Sequence, residues 1–388
     1  MKCLIPNIGS TSFKYRVLEM PSATVLANGR VERIGQPGGD CPDYLTAIRK
    51  CIEDVVGPDK ALRSLSEIDA VGFKAVHPGP LTGTRVVDDE LLATMAEFSF
   101  FAPAHNPPYI AAMNAFRHEL PGVPLVAVFE TIPYESLDEA ATTYAAPYEW
   151  RTEHGIRRYG FHGASHRSAS ERVMAQMGRP NLRHISCHLG GSSSIAAFRD
   201  GVAIDISFGT SPQSGLPQNN RVGDIDAFAV LYMMKKLGVG VDEMARILGS
   251  KSGLAGISGT SGDMRDLEEA AAAGSERARL ALDVFVRAIR HYLGAFMVEL
   301  GGLDAISFSG GIGENSWETR RAVCKDLAAF GVELDEAANR RARTAATIST
   351  EVSAVKVLVV PADEESIVAR ETARLVERGA MQAAHTGA

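Results

Sequence analysis

The chain has 388 residues, 45% of them apolar and 22% charged, the make-up of an ordinary globular protein, and at roughly 100–200 residues per domain this predicts two or three domains. Lys and Arg number 40 against 47 Asp and Glu, a net charge of −7, which argues against a nucleic-acid or membrane-surface partner yet allows a local arginine cluster for a small anion. Five scattered cysteines (Cys3, Cys41, Cys51, Cys187, Cys324) form no CxxC pair, no run of 18 apolar residues occurs, and the start turns polar at Asn7; the expectation is a reduced, cytoplasmic protein without zinc ribbon, disulfide framework or membrane span.

In chain order, Leu4-Ile-Pro-Asn-Ile is a short apolar strand, Gly9-Ser-Thr-Ser12 a turn, and Lys14 to Leu18 a second strand. Residues 70–76 and 124–129 are further strand candidates. Ile185-Ser-Cys-His-Leu, Gly190-Gly-Ser-Ser-Ser194 and the following apolar run repeat the opening hairpin pattern about 180 residues later, so the chain is expected to consist of two related halves. Ala281, Val284, Phe285, Ala288, Ile289, Tyr292, Phe296 and Leu300 follow the i, i+3, i+4 spacing of one helix over 275–300. A strand at 305–308 leads into the glycine-rich Ser309–Asn315 segment. Another strand covers 355–360, followed by a loop over 361–365 and a helix over 366–378. Hairpins mixed with βα units predict α/β layers.

Gly/Ser turns expose backbone N–H groups and hydroxyls, which suits a phosphate. The glycines of Ser309-Gly-Gly-Ile-Gly-Glu-Asn315 would let a nucleotide approach the backbone, although the dinucleotide GxGxxG fingerprint is absent. His162 and His166 lie four apart, a metal-binding spacing on a helix, but the glutamate of HExxH is missing and Gly163 weakens a helix there. A hydrogen bond from a histidine to an anion, or a satisfied core histidine, are the competing readings. Arg221 stands beside Asp224 and Asp226, and its planar fork suits a carboxylate or phosphate. Asp363-Glu-Glu365 is either a magnesium site or an acidic helix start.

Taken together and in this order, NIGSTSFKY (7–15), APAHNPP (102–108), RRYGFHGASH (157–166), CHLGGSSS (187–194), RVGDID (221–226), SGLAGISGTSGDMRDL (252–267), GGIGENS (310–316) and PADEE (361–365) resemble the acetate kinase family over nearly the whole chain. The resemblance implies a duplicated ribonuclease-H-like (actin-like ATPase) fold of two α/β domains with an interdomain cleft. The first domain would be 1–134 plus 366–388 and the second, nucleotide-binding domain 135–365. It implies reversible phosphoryl transfer from ATP to a short-chain carboxylate, giving ADP and an acyl phosphate, with Mg²⁺ (or Mn²⁺) and a homodimer. Carried over by position, Asn7 and Glu364 would serve the metal. Glu130, His162, Arg221 and Lys74 would be catalytic. Ser10, Lys14, His188, Gly190, Gly191, Asp263, Arg265, Gly310, Gly311, Gly313 and Asn315 would bind the nucleotide. Val76, Ala104, Phe161 and Pro212 would line the acid's apolar pocket, and His105 matches a further active-site histidine.

The sequence departs from the family pattern inside the site. Lys74 stands for an arginine, which keeps the charge and loses the bidentate fork. Glu130 replaces an aspartate in Val-Phe-Glu-Thr, Gly191 replaces an asparagine, and Ala104 stands where leucine is usual. A missing methylene changes discrimination by about 1–3 kcal/mol, so an acid larger than acetate, or one with a polar group reaching Gln213, is expected. The alternatives are a kinase for a different, larger or polar acid, and a nucleotide-binding regulator without turnover.

Overall fold

The computed structural model describes residues 1–9, 12–39 and 41–386. It divides into two units, Met1–Glu135 with Asp363–Ala388, and Ser136–Ala362. The return to the first unit thus comes at Asp363 and not after residue 365. The reason is local: the last helix, Glu364–Thr386, already begins there, so 361–365 is not a loop throughout.

The first unit holds strands β1 (Lys2–Ile8), β2 (Phe13–Glu19), β3 (Thr24–Val31), β4 (Ala70–Ala75), β5 (Thr84–Val86) and β6 (Leu125–Phe129), in the spatial order β3-β2-β1-β4-β6-β5. The second holds β7 (Arg183–Leu189), β8 (Ser193–Arg199), β9 (Val202–Ile206), β10 (Ala305–Ser309), β11 (Ala346–Thr347) and β12 (Lys356–Val359), in the order β11-β12-β10-β7-β8-β9. Matching β7 to β1, β8 to β2 and so on makes the two orders identical, so each unit is the same mixed sheet. In each, an antiparallel three-strand meander continues into parallel strands, β1–β4–β6 and β7–β10–β12.

Strand alternation decides which residues meet which layer. Val71, Phe73 and Ala75 enter the first apolar core, whereas Gly72 and Lys74 face the opposite side. There the Glu364–Thr386 helix crosses β4: a Cβ on Gly72 would lie 2.2 Å from Thr372 Oγ1, so only glycine allows that approach. In the second unit Ile185, Cys187 and Leu189 enter the core. The intervening Ser186 and His188 face the Gly163–Met177 helix, to which their side chains are bonded.

The Glu276–Leu300 helix starts at Ser275, whose side chain accepts from the Ala278 N–H, and ends at Gly301 with φ +69°, the usual cap pair. Its buried face is Ala278, Ala281, Phe285, Ile289, Leu293, Phe296 and Leu300. Val284, Ala288 and Tyr292, expected on that face, are only partly buried. All five cysteines are buried free thiols. No helix among the described residues is long and apolar enough to cross a membrane.

Candidate active site

In both units the polar residues gather where the parallel strands end, the usual ligand-binding edge of an α/β sheet. In the first unit, Asn7 lies one residue before the end of β1 and beside Lys14 in the β1–β2 register, with Lys14 exposed. Lys74 lies one residue before the end of β4, and Glu130 directly follows β6. The Lys74 ammonium is 3.3 Å from Glu130 and 2.6 Å from Glu364. Burial works against that charge, but the two carboxylates outweigh it and hold the lysine pKa well above its ordinary value. Lys74 is therefore a bridge between two acids. Tyr109 packs beside the cluster and accepts a hydrogen bond from the Ile8 N–H; burial lifts its pKa to about 12. Ser10 lies outside the described residues.

Glu130, Glu364 and Asn7 supply hard oxygen donors, the type Mg²⁺ takes. Among the described residues no group of three or more His, Cys, Asp or Glu is placed to hold a metal. Such a donor set fits an ion carried largely by substrate phosphates and water, as Mg²⁺ usually is, and does not fit an all-protein cage. His162 and His166 form no metal pair, because both ring nitrogens of His166 are bonded to serines.

In the second unit His162 sits at φ +58°, ψ +27° and caps the Gly163–Met177 helix. A left-handed histidine costs about 1 kcal/mol, yet Gly163 starts the helix and does not break it. His162 Nδ1 is 2.8 Å from Ser194 Oγ, and its ring lies 4.4 Å from that of His188, whose Nδ1 is 2.6 Å from Ser165 Oγ. Arg221 donates to Ser192 Oγ at 3.2 Å and to Pro212 O and Gln218 Oε1 at 3.3 Å. Among the described residues it has no carboxylate partner, and burial lowers its pKa from the ordinary value. Asp224 and Asp226 are used elsewhere: Asp224 accepts from the Gly215 N–H, and Asp226 caps the Ala227–Leu237 helix. A half-buried guanidinium without a counter-ion is a standing anion site.

Beside it opens a cavity of about 570 Å³ lined by Gly190, Gly191, Asn219, Asp263, Met264, Arg265, Glu268, Gly311, Ile312, Asn315 and Ser316. Six of the sequence candidates thus meet there. Asp263 caps the Met264–Ala272 helix and pairs with Arg265 at 2.7 Å, which draws its pKa down to about 2. Gly310 and Gly313 are packing positions instead. Gly310 has φ +76° and a Cβ there would lie 2.6 Å from Leu189 O, while Gly313 rests against Phe308. His188 belongs with His162 and is not part of the cavity lining.

Sequence reasoning missed Asn219, Glu268 and Arg320. Asn219 donates its N–H to Gly191 O, and its Nδ2 lies 3.3 Å from where a Gly191 Cβ would be. Its amide thus fills the space beside Gly191. Arg320 is fully buried and donates to Gly313 O, Glu314 O and both Asn339 oxygens. It satisfies the carbonyl end of the Gly310–Asn315 helix and so fixes the glycine-rich wall of the cavity.

Of the acid-pocket candidates, Val76 and Pro212 are buried and Ala104 is exposed. Phe161 is buried edge-on to Phe208 at 5.7 Å. His105 stands at the start of the Asn106–Glu119 helix.

Residues 2–370 match the model of the acetokinase family. The chain is 42% identical to the acetate kinase of Geobacillus sp. (strain WCH70), covering 97% of this chain and all of that protein. It is 41% identical to the acetate kinase of Bacillus subtilis (strain 168), covering 97% and 100%. Among solved structures, Porphyromonas gingivalis acetate kinase superposes with TM-score 0.87 at 36% identity, covering 97% and 99%. A propionate kinase from Francisella tularensis gives 0.86 at 30%, covering 96% and 99%. Matched end to end in sequence and in both duplicated sheets, this chain belongs to the acetokinase family.

Proposed function

We propose that the protein transfers the terminal phosphoryl group of ATP, reversibly, to a short-chain carboxylate, acetate or propionate, giving an acyl phosphate and ADP. Arg221, the desolvated guanidinium with only neutral partners, carries this reading, supported by the nucleotide-sized cavity beside it and by the family. A carboxylate oxygen forms the new P–O bond, the bond to the β-phosphate bridging oxygen breaks, and its electron pair leaves with ADP. The acid is already ionised at pH 7, so no strong base is required. The task is to hold two anions together and stabilise the charge spread over the transferring group. Arg221 offsets that charge, and His162, at a helix N-terminus, donates to it. The cavity with Asp263, Arg265, Gly311 and Asn219 takes the nucleotide. Asn7 and Glu364 would hold Mg²⁺, which neutralises phosphate charge when bound, and Lys74 keeps Glu130 and Glu364 together.

Ala104 is smaller than the leucine usual at this place in the family pattern, so propionate or a longer acid is expected to compete well with acetate. The place of action is the cytoplasm, consistent with five free thiols. A homodimer is supported by the Ala227–Leu237 helix, which buries none of its residues and exposes Phe228, Leu231 and Tyr232.

The test is ATP-dependent acyl phosphate formation, trapped as hydroxamate, across two- to five-carbon acids, with Arg221→Ala alongside. Turnover lost in the variant supports the proposal. Nucleotide binding without acid-dependent turnover in the unaltered protein would replace it with the regulator reading, and a clear preference for acetate would remove the expectation of a larger acid.

A further inference from the structure

Beneath His162 a chain of polar side chains runs into the interior. Ser194 Oγ lies 2.8 Å from His162 Nδ1 and 2.7 Å from His166 Nε2, and His166 Nδ1 lies 2.9 Å from Ser186 Oγ. Ser186, His166 and Ser194 are fully buried. Strand alternation puts Ser186 and Ser194 on the sheet face opposite the core, and their register partners Ala196 and His188 sit beside them.

One hydroxyl proton is shared between two imidazoles, so Ser194 donates to one nitrogen and must accept from the other. Only two arrangements satisfy this. In the first, Ser186 donates to His166 Nδ1, His166 Nε2–H donates to Ser194, and Ser194 donates to His162 Nδ1. In the second every bond reverses, and the Ser186 hydroxyl proton then needs another acceptor. Among the described residues Ser186 Oγ has His166 as its single hydrogen-bond partner. The reversed chain therefore strands a buried donor, whereas in the first arrangement the protons of Ser186, His166 and Ser194 each have an acceptor. Burial, aided by His188 and His184, holds the His166 pKa well below its ordinary value, so the ring is neutral and carries one proton as both arrangements require.

We propose that Ser186, His166 and Ser194 form a one-way hydrogen-bond relay that locks neutral His162 in the tautomer protonated at Nε2, making it a donor toward a bound anion without acquiring charge. Ser194, His166 and Ser186 are positioning residues. The inference rests on the reading that His162 donates to the transferring phosphoryl group, but the tautomer itself is measurable without turnover.

The experiment is ring-¹⁵N histidine NMR on the full chain, with the His162 signals assigned by their loss in His162→Gln. The unaltered protein should show His162 protonated at Nε2 and bare at Nδ1 at pH 8. Ser194→Ala should give mixed tautomers and lower kcat by about 10- to 100-fold with little change in KM for either substrate. Ser194→Thr, which restores a hydroxyl, should recover both. A His162 protonated at Nδ1 in the unaltered protein overturns the relay, as does a Ser194→Ala protein with an unchanged tautomer. Full activity in His162→Gln and His162→Ala would instead sink the phosphoryl-donor reading while leaving the tautomer result standing.

Discussion

The two sheets share one topology and use the same edge for opposite electrostatic work. At the ends of β1, β4 and β6 stand two carboxylates bridged by Lys74, a corner whose oxygen donors suit a cation. At the corresponding end of the second sheet stand histidines bonded to serine hydroxyls and an arginine that has no carboxylate partner among the described residues, a corner that suits an anion. The backbone supplies the position of the strand ends, and the residues placed there supply the sign. A duplicated fold can in this way carry opposite electrostatics at equivalent strand ends without altering either core.

The largest expected break in this contrast comes from the anion corner. Arg221→Ala should lower kcat/KM by about 10³-fold, because a desolvated cation is removed from developing charge; steady-state kinetics with ATP and propionate checks it, and a loss under tenfold would refute the role. Next is Lys74→Met in the cation corner. It leaves Glu130 and Glu364 without their shared counter-ion, so the apparent affinity for Mg²⁺ should change by at least tenfold and stability should fall by about 3 kcal/mol. Denaturant melts with and without Mg²⁺ would show this, and an unchanged midpoint would contradict the bridge.

Arg320→Leu should cost about 3 kcal/mol through the helix carbonyls it leaves unsatisfied. It should also raise KM for ATP more than KM for the acid, since it supports the glycine wall of the cavity. A pH series separates the corners more gently. Burial holds His166 well below its ordinary pKa and His184 at about 3. Each binds a proton in the unfolded chain below about pH 6.5 and does not in the folded one. Their stabilising contribution is complete above that pH and falls as pH drops, by up to about 1.4 kcal/mol per unit per histidine. Denaturant midpoints between pH 7 and 5 should decline accordingly, and His184→Asn should flatten the slope. The smallest effect is expected from Asn219→Ala, a several-fold rise in KM for ATP at constant kcat, read by the same kinetics.

Much of this arrangement is legible in the sequence. The repeated Gly/Ser hairpins announced the duplication, and the apolar strand cores and the 275–300 periodicity placed their elements within a few residues. Asp263, Arg265 and Gly311 line one cavity, and Arg221 and His162 lie in the same unit. Less legible were positions whose meaning depends on a distant partner. Gly310 and Gly313 look identical to Gly311 in a glycine run, yet the first packs under Leu189 and the second against Phe308. Arg320 reads as one more surface charge on an amphipathic segment, but its four acceptors come from two separate stretches of chain.

Local pattern alone determined the elements, the family and the residue types available for phosphoryl chemistry, because strand alternation, turns and caps act over a handful of neighbours. Only the folded chain decided which charges are spent on each other. Lys74 meets Glu364 from 290 positions away, while Arg221, five residues or fewer from two aspartates, pairs with neither. Pairing depends on distance through space and on the water removed around each group, and neither quantity is written in the order of the residues.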